Sequence, residues 1–231
     1  MVISVVYGPV DLREPSRMAT SPAMKKDTKT TIMDTAEIMM AEHGVQGISI
    51  RAILSEAGAN SAALHYHFNS REGLIEAMIG RYGRIPAARR LEMIDSFDDS
   101  GRAPTPVDIV NIIVDPMIDL LEQKGEAGRR FIRFIARLQS DRTPLHIEQE
   151  RKHYPEMRAR MEAMLQQACP NVPKAELEVR ITMMIDTVLQ SLSNADFMSQ
   201  EWDGDGPRDE LAKFARTLKG FLTGGVSAPA T

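Results

Sequence analysis

The segment from Asn60 to Phe68 carries the side chains best suited to reading DNA. Its first residues, Ser61 and Ala63 among them, are small, which lets a helix backbone come close to base edges. A serine hydroxyl can hydrogen bond to a base, and an alanine methyl can contact the methyl group of thymine. Further along, His65 and Tyr66 add side chains that end in hydrogen-bonding groups. We therefore predict a recognition helix that contacts both base edges and backbone phosphates.

Two short helices joined by a tight turn position these side chains. Ser49 is a good N-cap for the first helix, Gly58 ends it, and Asn60 caps the second helix two residues later. Apolar residues at helical spacing face inward in both, namely Ile50, Ile53, Leu54 and Ala57 in the first and Leu64 and Phe68 in the second. This pattern predicts a helix-turn-helix, whose second helix lies in the major groove while the first crosses the backbone.

Nine residues of this region are candidate DNA contacts. Tyr66 carries a hydroxyl on a rigid ring, and Arg71 lies in the first turn of the following helix, whose free N–H groups attract anions. We expect these two to hold phosphates, and His67 to be a half-buried packing residue. The small residues and His65 are expected to face base edges. The full set is Ser49, Arg51, Asn60, Ser61, Ala62, Ala63, His65, Tyr66 and Arg71.

A longer pattern, from about Thr30 to Leu74, surrounds the predicted helix-turn-helix. It consists of Ala36, Glu42-His43-Gly44, Ile48-Ser49-Ile50-Arg51-Ala52-Ile53, Ala57-Gly58-Ala59-Asn60, Ala63-Leu64-His65-Tyr66-His67-Phe68 and Ser70-Arg71-Glu72-Gly73-Leu74. In order and spacing it resembles the tetracycline-repressor (TetR-like) family of bacterial transcription regulators. His65 stands where the family usually has Tyr, and Arg71 stands where it usually has Lys.

The resemblance also implies how the rest of the chain is built. In this family the helix-turn-helix domain, called the head here, is followed by a helical body that binds ligand and dimerises. The last two long helices of each subunit usually pack into a four-helix interface. The apolar helices at 173–195 and 207–222 are the candidates here. The expected interface residues are Ile181, Ile185, Leu189, Leu192, Phe214 and Leu218. A two-fold homodimer of this kind requires an inverted-repeat operator in double-stranded DNA.

The body is also expected to hold a small-molecule effector. A small apolar or amphipathic ligand fits a Met-rich interior, and the candidate pocket residues are Met93, Phe97, Met117, Phe134, Leu138 and Met161. The leading hypothesis is a repressor released by such a ligand. A DNA-binding interaction protein without an effector and a helical enzyme stay open as alternatives. Because the sequence has no Gly-rich phosphate loop, nucleophile elbow or paired metal motif, we expect no catalytic residues and no cofactor.

Helical periodicity continues along the chain and predicts an all-α protein of about nine helices. The expected division is a disordered arm at 1–24, a helix-turn-helix domain at 25–74 and a helical effector-binding and dimerisation domain at 75–225. Within the helix that joins head to body, Gly83 and Pro86 predict a kink or break.

Proline and glycine residues predict two further features of the body, a linker and a helix bend. Residues 98–106 form the clearest linker, and Thr105, Pro106 and Asp108 together predict the start of the next helix. Pro116 is expected to bend that helix.

Two other groups could bind metal or respond to oxidants. His146, Glu150 and His153 share a helix face, but the surrounding charges favour a solvated helix, so we expect no metal. Cys169 is the only cysteine, which excludes an internal disulfide and leaves a redox sensor without a resolving partner.

Composition agrees with a globular helical protein. The chain has 231 residues, 43% of them hydrophobic and 26% charged, with only 5% aromatic residues against 15 methionines. Its net charge of −4 argues against coating of nucleic acid by bulk charge, and leaves a local contact surface possible. No run approaches the roughly 20 apolar residues that a membrane helix needs. We therefore expect a cytoplasmic protein without membrane contact.

Overall fold

The computed structural model describes residues 27–141, 155–194 and 207–230. Within these ranges it contains nine helices and no strand, in agreement with the predicted all-α class. The helices are α1 (Thr28–His43), α2 (Ile50–Glu56), α3 (Ser61–Phe68), α4 (Arg71–Ser100), α5 (Pro106–Lys124), α6 (Glu126–Ser140), α7 (Pro155–Ala168), α8 (Lys174–Ser193) and α9 (Pro207–Val226). The predicted arm at 1–24 and the residues His146, Glu150 and His153 lie outside the described residues.

Side-chain caps fix the starts of the short head helices, as predicted. The Ser49 hydroxyl accepts from the Ala52 N–H at 3.1 Å, and the Asn60 side chain accepts from the Ala63 N–H at 2.9 Å. Each cap satisfies an N–H group that the helix itself leaves without a partner. The head core consists of buried side chains from α1 to α4, including Ile32, Ala36, Met40, Ile53, Leu64, Phe68 and Leu74.

Helix α4 is longer than the sequence indicates. It runs for 30 residues through Gly83 and Pro86, so of the predicted kink or break the break is absent, and the kink stays a prediction. Pro86 removes one backbone hydrogen bond, but it lies on the buried face of α4, and α4 packs against α5. The helix ends at Gly101, which has a left-handed φ of 65°.

The linker before α5 is shorter than predicted, because α4 extends to Ser100 and only residues 101–105 connect the two helices. The predicted helix start is confirmed. The Asp108 carboxylate accepts from the Thr105 N–H at 2.8 Å and from the Thr105 hydroxyl at 2.6 Å, and it also pairs with Arg102. Pro106 occupies the first helical position, where its missing N–H costs nothing.

A buried arginine compensates for the second helix-interior proline. Pro116 has no N–H to donate to the Ile112 carbonyl, which lies four residues earlier in α5. The fully buried Arg90 of α4 donates from Nε to the Ile112 oxygen and from Nη2 to the Ile113 oxygen, both at 3.1 Å. The guanidinium thereby satisfies the carbonyls at the proline and ties α4 to α5.

The last two helices hold the residues of the predicted dimer interface. Helix α8 packs against α6 and α9, and α9 packs against α5. All six predicted interface residues are only 0 to 7% exposed within a single chain: Ile181, Ile185, Leu189, Leu192, Phe214 and Leu218. A side chain already covered by its own chain offers little surface to a second copy, so other residues of these two helices are better placed for a contact between copies.

The outward faces of the same two helices carry other apolar side chains. Val179 and Met183 of α8 are 53% and 64% exposed, and Phe221 of α9 is 69% exposed. Val179 and Met183 are four residues apart and therefore lie on one helix face. No helix among the described residues is both long and apolar enough to cross a membrane.

Candidate DNA-binding interface

Helix α3 separates a buried side from an exposed one, as a recognition helix requires. Leu64 and Phe68 are 5% and 6% exposed and hold the helix to the head core. The opposite side presents Tyr66, which is 85% exposed, beside the exposed His65. An exposed tyrosine offers an apolar ring and a hydroxyl to a partner.

The nine predicted contact residues do not share one environment. Seven of them are exposed, and Ala63 and Arg71 are half-buried. Ser49 and Asn60 use side-chain oxygens as helix caps, and each keeps its own donor groups, a hydroxyl and an amide NH₂. Arg51 is exposed on α2 and free of any such structural hydrogen bond in the described part of the chain.

The histidines of α3 differ in their surroundings. His65 is exposed, and its Nδ1 lies 2.9 Å from the carbonyl oxygen of Asn69 just past the helix end. His67 is half-buried, as predicted, with its ring centroid 4.9 Å from that of Tyr66 and 6.0 Å from that of Phe68. The edge-on contact between the Tyr66 and His67 rings supports the tyrosine from one side.

Arg71, the second predicted phosphate contact, makes hydrogen bonds within the head. The half-buried guanidinium donates from Nη1 to the Ile48 carbonyl at 2.6 Å and from Nη2 to the Val45 carbonyl. Both acceptors belong to the loop between α1 and α2. Since the two terminal nitrogens serve this loop, the residue is a bridge within the head.

Sequence reasoning missed the contacts that join head to body. Arg81 of α4 pairs with Asp34 at 2.5 Å and lies 3.4 Å from Glu37, which is only 2% exposed. Burial raises the pKa of the Glu37 carboxyl above its usual value of 4.5, although Arg81 acts in the opposite direction. The sequence does contain one sign of this contact, because the acidic Glu37 lies on the apolar stripe of α1 between Met33 and Met40.

A second such contact involves the α1–α2 loop itself. The Gln46 N–H donates to the Asp141 carboxylate at 3.1 Å, immediately after α6 ends. Helix α1 also packs along α6. Because 95 residues separate Gln46 from Asp141, no local sequence pattern predicts their contact.

The predicted pocket residues lie in or against the core. Met117, Phe134, Leu138 and Met161 are at most 1% exposed, and Met93 and Phe97 pack against the core while partly exposed. A surface groove of about 310 Å³ lies elsewhere, between α7 and α8. Its lining includes Leu165, Leu177, Glu162 and Lys174, and none of the six predicted residues.

Two protein-family models match the chain, one over the head and one over the body. Residues 32–78 match the family model described as bacterial regulatory proteins, tetR family, and residues 111–225 match the tetracyclin repressor-like C-terminal domain. The chain belongs to the TetR family. Between the two matched ranges lies most of α4, which connects head and body.

Individual relatives support the same assignment. The chain is 31% identical over 72 residues to the "HTH-type transcriptional repressor KstR2" of Rhodococcus jostii (strain RHA1), over 28% of this chain and 35% of that protein. It is 32% identical over 59 residues to the "Probable HTH-type transcriptional regulator YttP" of Bacillus subtilis (strain 168), over 26% of this chain and 28% of that protein. The matches thus span about a third of these curated relatives.

One solved structure covers nearly the whole TetR-family chain. The ketosteroid transcriptional regulator KstR2 of Mycobacterium tuberculosis superposes with a TM-score of 0.53, covering 87% of this chain and 96% of its own. At 18% sequence identity this likeness shows the shared fold.

Proposed function

We propose that the protein is a sequence-specific DNA-binding repressor of transcription that acts in the cytoplasm and is released by a small molecule. The observation that carries this proposal is the exposed side of α3, where Tyr66 and His65 project from a helix held by Leu64 and Phe68. Placed in the major groove, that side brings polar groups to base edges and phosphates together.

The hydrogen bond of His65 sharpens the readout that we propose for it. A carbonyl oxygen only accepts, so the Asn69 oxygen fixes the proton on Nδ1 and leaves Nε2 of the neutral ring as an acceptor. In the major groove an acceptor pairs with the amino group of adenine or cytosine. Ser61, exposed in the first turn of α3, supplies a hydroxyl that pairs with either kind of base edge.

The proposed assembly is a two-fold homodimer through α8 and α9. The exposed apolar side chains Val179, Met183 and Phe221 support this surface rather than the buried residues first expected. A second copy of the same face would cover all three. Two heads related in this way require an inverted-repeat operator.

The proposed effector acts on the body. Because four of the six expected pocket residues are already packed in the core, an effector reaching them has to open the body, which couples binding to a change of shape. A small apolar or amphipathic molecule fits this interior.

Binding-site selection on a random double-stranded DNA library, with the full chain, tests the proposal. We expect an enriched inverted repeat with half-sites about one helical turn apart. His65→Ala and Ser61→Ala should relax preference at one or two symmetry-related positions, with a loss of roughly 1–3 kcal/mol per base contact. Ala88→Ser, an exposed change on α4, is the matched control. Enriched sites without dyad symmetry would contradict the proposed dimer, and no enrichment would contradict DNA recognition itself.

A further inference from the structure

We infer that Arg71 is a positioning residue of the DNA-binding head, which fixes the α1–α2 loop and the start of α2 without touching DNA. The inference rests on the proposed DNA-binding function. It concerns the position where the family resemblance implied a cation for phosphate.

The geometry at Arg71 is that of a clamp on backbone carbonyls. Arg71 is the first residue of α4, directly after the N-cap Ser70, and its two terminal nitrogens reach the carbonyls of Val45 and Ile48. A planar guanidinium presents its donors in a fixed fork, so it holds two acceptors in one relative position. A lysine ammonium is a single point on a flexible stem and lacks this geometry.

The clamped loop leads directly into α2. Val45 is 2% exposed and anchors one end of the loop in the head core, while Ser49 caps α2 at the other end. Ile48 immediately precedes that cap, so the Arg71–Ile48 bond acts at the first turn of α2. This turn carries the exposed Arg51, the cation that a helix crossing the DNA backbone can offer to phosphate.

A phosphate contact that turned the guanidinium away from the loop would work against this arrangement. Turning the guanidinium toward DNA would remove a charged donor from two loop carbonyls, and partly buried acceptors without donors are costly. Arg51 is exposed and needs no such exchange. We therefore assign the phosphate role on this side of the head to Arg51 and the positioning role to Arg71.

The two roles make different predictions for three variants. Operator affinity of Arg71→Ala, Arg71→Lys and Arg51→Ala is measured over a salt series, on the sequence recovered by selection. We expect Arg71→Ala and Arg71→Lys each to weaken binding about tenfold with an unchanged salt slope, because a lost clamp costs roughly one charged hydrogen bond. Arg51→Ala should instead lower the salt slope by about one unit in each protomer.

A second readout needs no DNA. Amide hydrogen exchange of the free protein should accelerate at residues 46–53 in both Arg71 variants and stay unchanged in α5 and α6. Urea unfolding checks that the variants are folded at the temperature of the binding assay. A general loss of stability would instead accelerate exchange throughout, including α5 and α6.

Three results would overturn the assignment. One is wild-type affinity in Arg71→Lys together with a lowered slope in Arg71→Ala, which is the behaviour of a phosphate contact. Another is unchanged exchange at residues 46–53 in Arg71→Ala. The third is an unchanged salt slope in Arg51→Ala. If the wild-type protein selects no DNA, the proposed function fails, whereas the exchange experiment still decides whether Arg71 holds the loop.

Discussion

The head and the body present opposite kinds of exposed surface. On α3 the outward side chains include Ser61, His65 and Tyr66, which carry polar groups, and Tyr66 is 85% exposed. On α8 and α9 the outward side chains include Val179, Met183 and Phe221, which have no polar group. A partner that offers hydrogen-bonding edges fits the first surface, and a partner that offers an apolar helix face fits the second. In both regions the proposed function depends on side chains that the fold leaves uncovered.

The strongest test of this contrast compares a covered and an uncovered residue of α8. Leu189→Asp should destabilise the fold by about 4 kcal/mol or more, because it buries an unpaired charge in a site that is 1% exposed. Met183→Asp should keep the helical circular dichroism spectrum and shift the protein from dimer to monomer. Urea unfolding and sedimentation velocity measure the two effects. If Leu189→Asp were folded and monomeric, the interface would lie on the face assigned to the core.

A somewhat smaller effect is expected where α4 meets α5. Arg90→Met removes the donors for the Ile112 and Ile113 carbonyls and should lower the free energy of unfolding by about 2–4 kcal/mol. Pro116→Ala restores an N–H for the Ile112 carbonyl. In the double variant the loss should therefore be smaller than the sum of the single losses, as urea unfolding can show. If the loss in free energy of unfolding in the double variant equalled the sum of the two single losses, Arg90 would not compensate for the proline.

In the head, substitution of a predicted DNA contact should leave the free energy of unfolding almost unchanged. Tyr66→Phe removes only a hydroxyl from a side chain that is 85% exposed, so unfolding should change by less than about 0.5 kcal/mol. Operator affinity should fall about fivefold to tenfold through one lost hydrogen bond. The loss should be similar for the operator and its single-base variants in a fluorescence anisotropy titration. A changed base preference would place Tyr66 at a base edge.

The smallest predicted effect depends on pH. The Arg102 guanidinium, with help from Thr105, holds the pKa of Asp108 well below its usual value of 3.8. A depressed native pKa contributes stability above the pKa of the unfolded chain, and that contribution is lost as the pH falls toward the native pKa. Asp108→Asn should therefore cost about 1 kcal/mol at pH 7, the size of a capping interaction, and progressively less below about pH 4. Urea unfolding of both proteins measures the effect. If the difference in free energy of unfolding between wild type and Asp108→Asn stayed the same from pH 7 to pH 3, the depressed pKa of Asp108 would not be its cause.

Local rules predicted most of the head. The caps at Ser49 and Asn60 and the buried positions Leu64 and Phe68 all follow from neighbours within four residues, and all were confirmed. The same rules predicted the helix start at Thr105 and Asp108.

Predictions that depended on distant contacts were less successful. Gly83 and Pro86 indicate a kink or break, whereas α4 continues through both and packs against α5. The apolar stripes of α8 and α9 are correct as buried faces, but a stripe does not say whether its own chain or a second copy covers it. Arg71 illustrates the same limit in the head, since its acceptors lie 23 and 26 residues away.

The unbroken course of α4 gives the protein a lever arm. Nineteen residues separate Arg71 from Arg90, which corresponds to a distance of about 28 Å along a helix rising 1.5 Å per residue. A tilt of about 5° around the point where Arg90 meets α5 would displace the Arg71 end by roughly 2.4 Å over that length. Such a displacement is comparable to a hydrogen-bond length, so a small tilt at the Arg90 end would change the distances from Arg71 to the Val45 and Ile48 carbonyls if the α1–α2 loop kept its position.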